Sequence, residues 1–399
     1  MAISKSLDKA VRSARKKSRL IIGLMSGTSM DGLDVALCKI SGSGLNTKLS
    51  LLKFVTVPYT PETKSRIGAV FAKPQVDFVK LSNLNAWIGR LHASIVLDCL
   101  KKWKVKPATI DAIASHGQTV MHAPAFLHPD DPINSTFQVG DGDHIAVLTG
   151  ILTISDFRQK HIAAGGEGAP LAVYGDYLIL SHPKENRILL NIGGIANFTC
   201  LPAGRNAAKV FVTDTGPGNT LIDQTIRNNF QGEYFDADSA RAIQGRVNAD
   251  LLTALKADSF FSMPLPKTTG PELFNLEYVR RAQQRSNTSS LSTYDLLATL
   301  TRFSAETIAE PILSTIGRNK YEIYLSGGGA HNPLMVKWIK ELLGVPVLRS
   351  TDELGIPGDA KEAILFAVLA NETLCGRNLN FGKSARIPSV HMGKMSFPE

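Results

Sequence analysis

From Arg19 the chain runs RLIIGLM, a Gly/Ser-rich SGTSMDG, LDVALCKIS and, past a Gly/Asn turn, LSLLKFVTVPY. Short apolar runs broken by Gly predict strand, tight turn, strand, turn, strand. The same order returns at Arg187, where RILLNIGGIANFTCL carries an apolar run into a Gly-rich turn and out into a second run. A chain that writes this order twice is constrained to a duplicated unit. Helical spacing fills the intervals, over 79–102, 250–257, 294–316, 334–343 and 360–374, and DAIASHG and YEIYLSGGGAHNP supply further strands. Strands alternating with helices in two halves predict an α/β protein with two mixed sheets and a cleft between them.

The expected divisions are a basic arm (1–18), an N-terminal lobe (19–185), a C-terminal lobe (186–380) and a tail (381–399). The net charge of +9 suggests nucleic acid until it is located. The first 19 residues hold seven basic side chains against Asp8, which leaves +3 for the remainder. That pattern reads as a solvated, poorly ordered arm, not a basic groove, and no nucleic-acid partner is expected. No apolar run reaches the roughly 18–20 residues of a membrane span, and Leu20–Met25 is too short for a signal-peptide core, so a cytoplasmic protein without membrane contact is expected. Cys38, Cys99, Cys200 and Cys375 show no metal-knuckle spacing and read as reduced thiols.

The segment GLMSGTSMDGLDVAL concentrates small residues and hydroxyls between two strands. Backbone amides in such a turn can converge on phosphate oxygens, with Ser26, Thr28 and Ser29 adding donors. It lacks the GK[ST] of a Walker loop, and taken alone it reads rather as a hairpin. Two further Gly-rich turns change the weighting: Asn191–Thr199, and Leu325–Pro333, which resembles the adenosine-cradling turn of actin-like ATPases. Three such turns predict a nucleotide site built on Gly27, Thr28, Ser29, Met30, Asp31, Gly32, Leu33 and Asp34, on Gly193 and Gly194, and on Gly327, Gly328 and Gly329. Gly27, Gly193 and Gly328 are expected to need positive φ or a close backbone approach. Asp31 and Asp214 are the candidate Mg²⁺ ligands, with Asp34 nearby, since Mg²⁺ takes one or two carboxylates plus phosphate oxygens. Capping a turn is the ordinary alternative for each.

Eight motifs in order over residues 20–370 resemble the anhydro-N-acetylmuramic acid kinase family: GLMSGTSMDGLDVAL, SHGQTVMH, QVGDGDHIAVLTGI, SDFRQKHIAAGGEGAPL, LLNIGGIANFT, TDTGPGNTLID, SGGGAHN and DAKEAILFAVLA. The resemblance implies a two-lobed actin/hexokinase-like, ribonuclease H-like fold, ATP and Mg²⁺ as cofactors, and an anhydrosugar as the small-molecule partner. It also implies water attack at the anomeric carbon with phosphoryl transfer to O6. A homodimer is left open. His116, Arg158, Gly165, Gly166 and Glu362 are the expected sugar-site residues, with His122 and Asp141 as further candidates. Buried structural roles are an equal alternative for His116, His122 and Asp141. The chain departs from the family where the base is expected. His161 stands in place of the usual Asp, Asp176 in place of a later His, and Glu167 in place of Gln. His161 is expected to be the base, with Asp176 as its partner or its substitute. A related anhydrosugar kinase with another substrate, and a non-catalytic actin-like nucleotide-binding protein, are the competing readings.

Overall fold

The computed structural model describes residues 4–125, 128, 130–270, 272–317, 319–377, 380–382 and 387–399. Residues 1–3 of the expected arm and 383–386 of the expected tail lie outside that set. The chain forms two units, Met1–Leu180 with Ala207–Lys209 and Ala360–Glu399, and Ser181–Asn206 with Val210–Asp359.

The first unit is built on β1 (Ser18–Ser26), β2 (Gly32–Ser41), β3 (Lys48–Pro58), β4 (Ala112–Ala123), β5 (Ser135–Val139) and β6 (Thr153–Ser155). Its sheet runs β3-β2-β1-β4-β6, with the first three strands antiparallel and β4 and β6 parallel to β1. β5 folds back on the second half of β4, and a short strand, Lys394–Ser396, closes the β6 edge. The second unit uses β7 (Arg187–Ile192), β8 (Ile195–Leu201), β9 (Phe211–Pro217), β10 (Glu322–Ser326) and β11 (Arg349–Ser350) in the order β9-β8-β7-β10-β11, with the same senses. The duplication expected from the two strand-turn-strand runs is thus a repeat of topology: three antiparallel strands followed by two parallel ones, consistent with the ribonuclease H-like lobes that the family resemblance implies.

One face of the first sheet is covered by the helix Phe78–Trp103, started by Asp77, whose carboxylate accepts from the Lys80 N–H, and stopped by Lys104 in the left-handed region. Its apolar stripe, including Leu84, Ile88, Val96 and Leu100, packs on Ile22, Leu24, Val35 and Leu37. The other face receives the helix Lys361–Cys375, which is buried from Ala363 to Glu372. Expectation placed this helix in the C-terminal lobe, and its packing corrects that. A helix apolar on all sides must be covered on all sides, and it lies against β1, β2 and β4. Gly23 makes the seat: a Cβ there would stand 1.8 Å from the Ala363 carbonyl oxygen.

The basic arm is also corrected. Lys5–Arg15 is a helix capped by Ser4, with Ser6, Ala10 and Ser13 buried. Asp111 ties it down by accepting from the Ser13 hydroxyl (2.7 Å), the Lys16 ammonium (2.6 Å) and the Leu20 N–H (2.9 Å). Arg19 is buried, donating to Asn371 and to the carbonyls of Lys16 and Gly42. Part of the charge cluster is therefore internal pairing that a one-dimensional count cannot see. In the second unit the 24-residue helix Thr293–Ile316 forms the centre of the core, burying Leu297, Leu300, Phe303, Ile308 and Ile312 with Ile188, Leu190 and Phe198. Among the described residues no helix is long and apolar enough to cross a membrane.

Candidate functional site

The first turn joins β1 to β2, with Thr28, Ser29 and Asp31 exposed and Met30 at φ 57°. Three of the expected residues also have roles inside the fold. The Ser26 hydroxyl is buried and donates to Gln118 Oε1 (2.5 Å), so it is spent inside the fold. Leu33 is fully buried, with its side chain in the core. Gly32 is required by strand pairing, because a Cβ would meet the Val57 carbonyl oxygen at 2.4 Å. Asp34 accepts from the Thr56 hydroxyl across the β2–β3 pair (2.6 Å).

The second and third turns stand side by side. β7 and β10 are parallel neighbours, with Asn191 paired to Ser326 at their ends, so Gly193–Gly194 and Gly327–Gly328 leave the sheet on the same edge. Ligands in α/β sheets sit outside such carboxyl ends. The carbonyls of Gly193 and Gly194 accept from the N–H groups of Gly218, Asn219 and Thr220, which dock the DTGPGN segment and the start of the helix Thr220–Asn229 against this turn. Gly327, at φ 84°, and Gly329 are needed for packing, since Cβ atoms would strike Asn191 and Ile192. Of the two reasons expected for glycine at Gly27, Gly193 and Gly328, positive φ is absent from all three, and an added Cβ finds its nearest neighbour 3.4 Å or more away. The fold itself leaves these three positions room for a side chain.

Asp214 lies on β9, its carboxylate accepting from the Thr269 N–H (2.9 Å). Burial pushes it up to about 6, with Glu272 adding to the rise. A cation would relieve that desolvation, which fits a magnesium ion held by one carboxylate and phosphate oxygens. Asp31 is an exposed carboxylate on the first turn. No cluster of three His, Cys, Asp or Glu side chains occurs among the described residues, so the protein builds no metal cage of its own there.

The sugar-site candidates of the first unit are partly gathered by one bonded chain. His116 donates from Nδ1 to the Gly117 carbonyl (2.9 Å), because a carbonyl can only accept, and Nε2 then accepts from Arg158 Nε (2.8 Å). Burial and the neighbouring guanidinium hold this imidazole well below its usual range, so it is neutral and orients Arg158. Arg158 also donates to the Gly168 carbonyl (2.7 Å), and burial lowers it to about 10 against the pull of Glu362. Glu362 begins the helix Lys361–Cys375. The surrounding protein raises its carboxyl, opposed by Arg158 and Lys361 and reinforced by Asp34. Arg158 therefore stands within electrostatic reach of Glu362 and of His122. Asp141 is a helix cap, accepting from the Asp143 N–H.

The two swapped positions have definite surroundings. His161 is fully buried, its edge against Tyr174, and its Nδ1 accepts from the Gly168 N–H (3.0 Å). Gly166 packs on that ring so closely that a Cβ would fall 2.2 Å from Nδ1, so its glycine serves packing. Gly165 is exposed at φ 93°. Asp176 is buried and ion-paired with Lys361 Nζ at 3.0 Å. His161 was expected to offer a basic lone pair to water. That lone pair is engaged by Gly168, and the ring holds the GGEG loop. Lys361, Gln118 and Asn219 escaped the sequence reading, although each lies inside a motif it singled out. The run of polar side chains Ser115, His116, Gln118 and Thr119 within the strand β4 was the available clue.

A family model described as anhydro-N-acetylmuramic acid kinase matches residues 19–386. The chain is 53% identical to an anhydro-N-acetylmuramic acid kinase of Pseudoalteromonas atlantica, with 100% of both chains covered. It is 51% identical to one of Pseudoalteromonas translucida, over 98% of this chain and 99% of that one. A Caldanaerobacter subterraneus relative of the same name is 40% identical over 98% of this chain and 100% of its own.

Proposed function

Because the chain belongs to the anhydro-N-acetylmuramic acid kinase family, we infer that it uses ATP to open 1,6-anhydro-N-acetylmuramic acid and phosphorylate O6, giving N-acetylmuramic acid 6-phosphate in peptidoglycan recycling. The observation that carries this is the match over 19–386, which spans both units and every motif named above. Water adds at the anomeric carbon and gives up a proton. The bond from that carbon to O6 breaks, and O6 bonds to the γ-phosphorus as the bond to the bridging oxygen of ADP breaks. We assign this reaction to the cytosol, where ATP is made.

The three glycines that the fold does not require, Gly27, Gly193 and Gly328, support close backbone approach by phosphate and adenosine. Mg²⁺, held by Asp214 and phosphate oxygens, would neutralise the phosphates, with Asp31 as the other candidate ligand. Of the five N–H groups of Arg158, His116 and Gly168 take two. The rest suit the planar carboxylate of the sugar's lactyl group. For the base we favour Asp176. Its carboxylate is ion-paired with Lys361 at 3.0 Å, whereas His161 has its acceptor nitrogen committed to Gly168. The test is ADP release with and without 1,6-anhydro-N-acetylmuramic acid, with levoglucosan in parallel. Strong stimulation by the muramic sugar is expected. Equal rates in all tubes would refute the kinase reading, and stimulation by levoglucosan alone would move the substrate.

A further inference from the structure

A chain of buried hydrogen bonds runs from the helix Phe78–Trp103 to the first turn. His92 Nε2 and the Tyr59 hydroxyl are 2.8 Å apart, Tyr59 donates to Ser26 Oγ (2.9 Å), and Ser26 donates to Gln118 Oε1 (2.5 Å). Gln118 Nε2 then donates to the carbonyls of Gly27 and Thr119, both at 3.0 Å. All four side chains are buried. Each direction follows from its neighbour. The Gln118 amide has its nitrogen on two carbonyls, so its oxygen must accept from Ser26. Ser26 can then only accept from Tyr59, and Tyr59 from His92. Burial keeps His92 neutral, with its usual value pushed down to about 3.

The last bond has a stereochemical consequence. A trans peptide points its C=O and N–H in opposite directions. With the Gly27 carbonyl drawn inward to Gln118, and also accepting from the Met30 N–H at 3.3 Å, the Thr28 N–H must point out of the turn. No acceptor among the described residues takes that N–H. Gly27 would tolerate either peptide orientation more readily than any other residue, so something outside the turn has to choose one.

We propose that Gln118, backed by Ser26, Tyr59 and His92, is a positioning element for nucleotide phosphate: it fixes the Gly27–Thr28 peptide with its N–H presented to an anionic oxygen. This rests on the reading of the first turn as a phosphate site. The ligand class is a nucleoside triphosphate, and Arg158, proposed above for the anhydrosugar, contributes no side chain to this run of hydrogen bonds. Without Gln118 the peptide is free to turn, and a carbonyl facing phosphate repels it.

The experiment compares full-length wild type with Gln118→Met, Gln118→Glu, Tyr59→Phe and Gly27→Val. The readouts are calorimetric affinity for the Mg²⁺ complex of a non-hydrolysable β,γ-imido ATP analogue, KM for the anhydrosugar, and thermal unfolding. Losing one or two hydrogen bonds should weaken the analogue about tenfold in Gln118→Met, with sugar KM within about twofold of wild type. Gln118→Glu, which can accept from Ser26 but not donate to Gly27, should behave like the Met variant. Tyr59→Phe should weaken the analogue about threefold and keeps the test alive if the Gln118 variants do not fold. Wild-type analogue affinity in Gln118→Met and Tyr59→Phe, with Gly27→Val impaired, would overturn the positioning role alone. Unchanged affinity in Gly27→Val would instead overturn the phosphate turn itself. Equal loss for analogue and sugar, or a lowered unfolding temperature with both affinities intact, would reduce the chain to ordinary core structure.

Discussion

Replacing His161 by Gln and by Ala separates a base from a loop holder. In the structure Nδ1 accepts from the buried Gly168 N–H at 3.0 Å, while the ring face supports Gly166. Ala removes the acceptor and leaves that N–H buried and unmatched, at a cost of about 1–3 kcal/mol, and it opens a space beneath the loop. Gln can bring its amide oxygen to the same N–H, but it has no basicity. If His161 holds the loop, Gln should keep kcat within about fivefold of wild type, which is about 1 kcal/mol of barrier. Ala should lower kcat by roughly ten- to a hundredfold, because the loop anchored through Arg158 and Asn134 loses its third tie. Asp176→Asn should cost on the order of 10² to 10⁴ in kcat, the range for a lost proton acceptor, with ATP-analogue affinity nearly unchanged. The assay is steady-state ADP release at saturating sugar, with calorimetry for the analogue and a thermal melt for each variant. A Gln variant that melts like wild type yet is as inactive as Ala, losing 10² or more, would refute this reasoning and restore His161 as the base.

Asp214→Asn should act in opposite senses on stability and on binding. Its carboxyl is raised to about 6 in the folded state against an ordinary value near 3.8, so its contribution favours folding below about pH 4 and is lost as pH rises through about 6. The Asn variant without nucleotide should therefore melt higher than wild type at pH 7.5, by on the order of 1–3 kcal/mol, and no higher at pH 4. The same variant should bind the Mg²⁺ complex of the ATP analogue more weakly, a calorimetric result whose absence would remove Asp214 from the metal site. Gly23→Ala should destabilise the first unit, because the new Cβ would overlap the Ala363 carbonyl. About 1–3 kcal/mol of overpacking should lower its unfolding temperature by several degrees, and an unchanged melt would show that the C-terminal helix can shift.

What the sequence determined by itself is local in origin. Alternating apolar runs, Gly-rich turns and the caps Asp77, Ser292 and Asn332 set the strands and helices within a residue or two, because strand period, helix period and capping are decided by near neighbours. The duplicated order of β1–β3 and β7–β9 was legible for the same reason. The ownership of the helix Lys361–Cys375 was not, since its apolar sides state only that it must be covered, while the seat at Gly23 lies more than 300 residues away. Likewise, the three Gly-rich turns were visible, but which glycines serve packing and which leave space depends on the atoms that other strands place opposite. The motif containing His161 was legible as a family segment. The role of that imidazole could not be read, because a histidine is base, donor or prop according to which of its nitrogens a distant backbone engages, and only the tertiary fold put the Gly168 N–H against Nδ1.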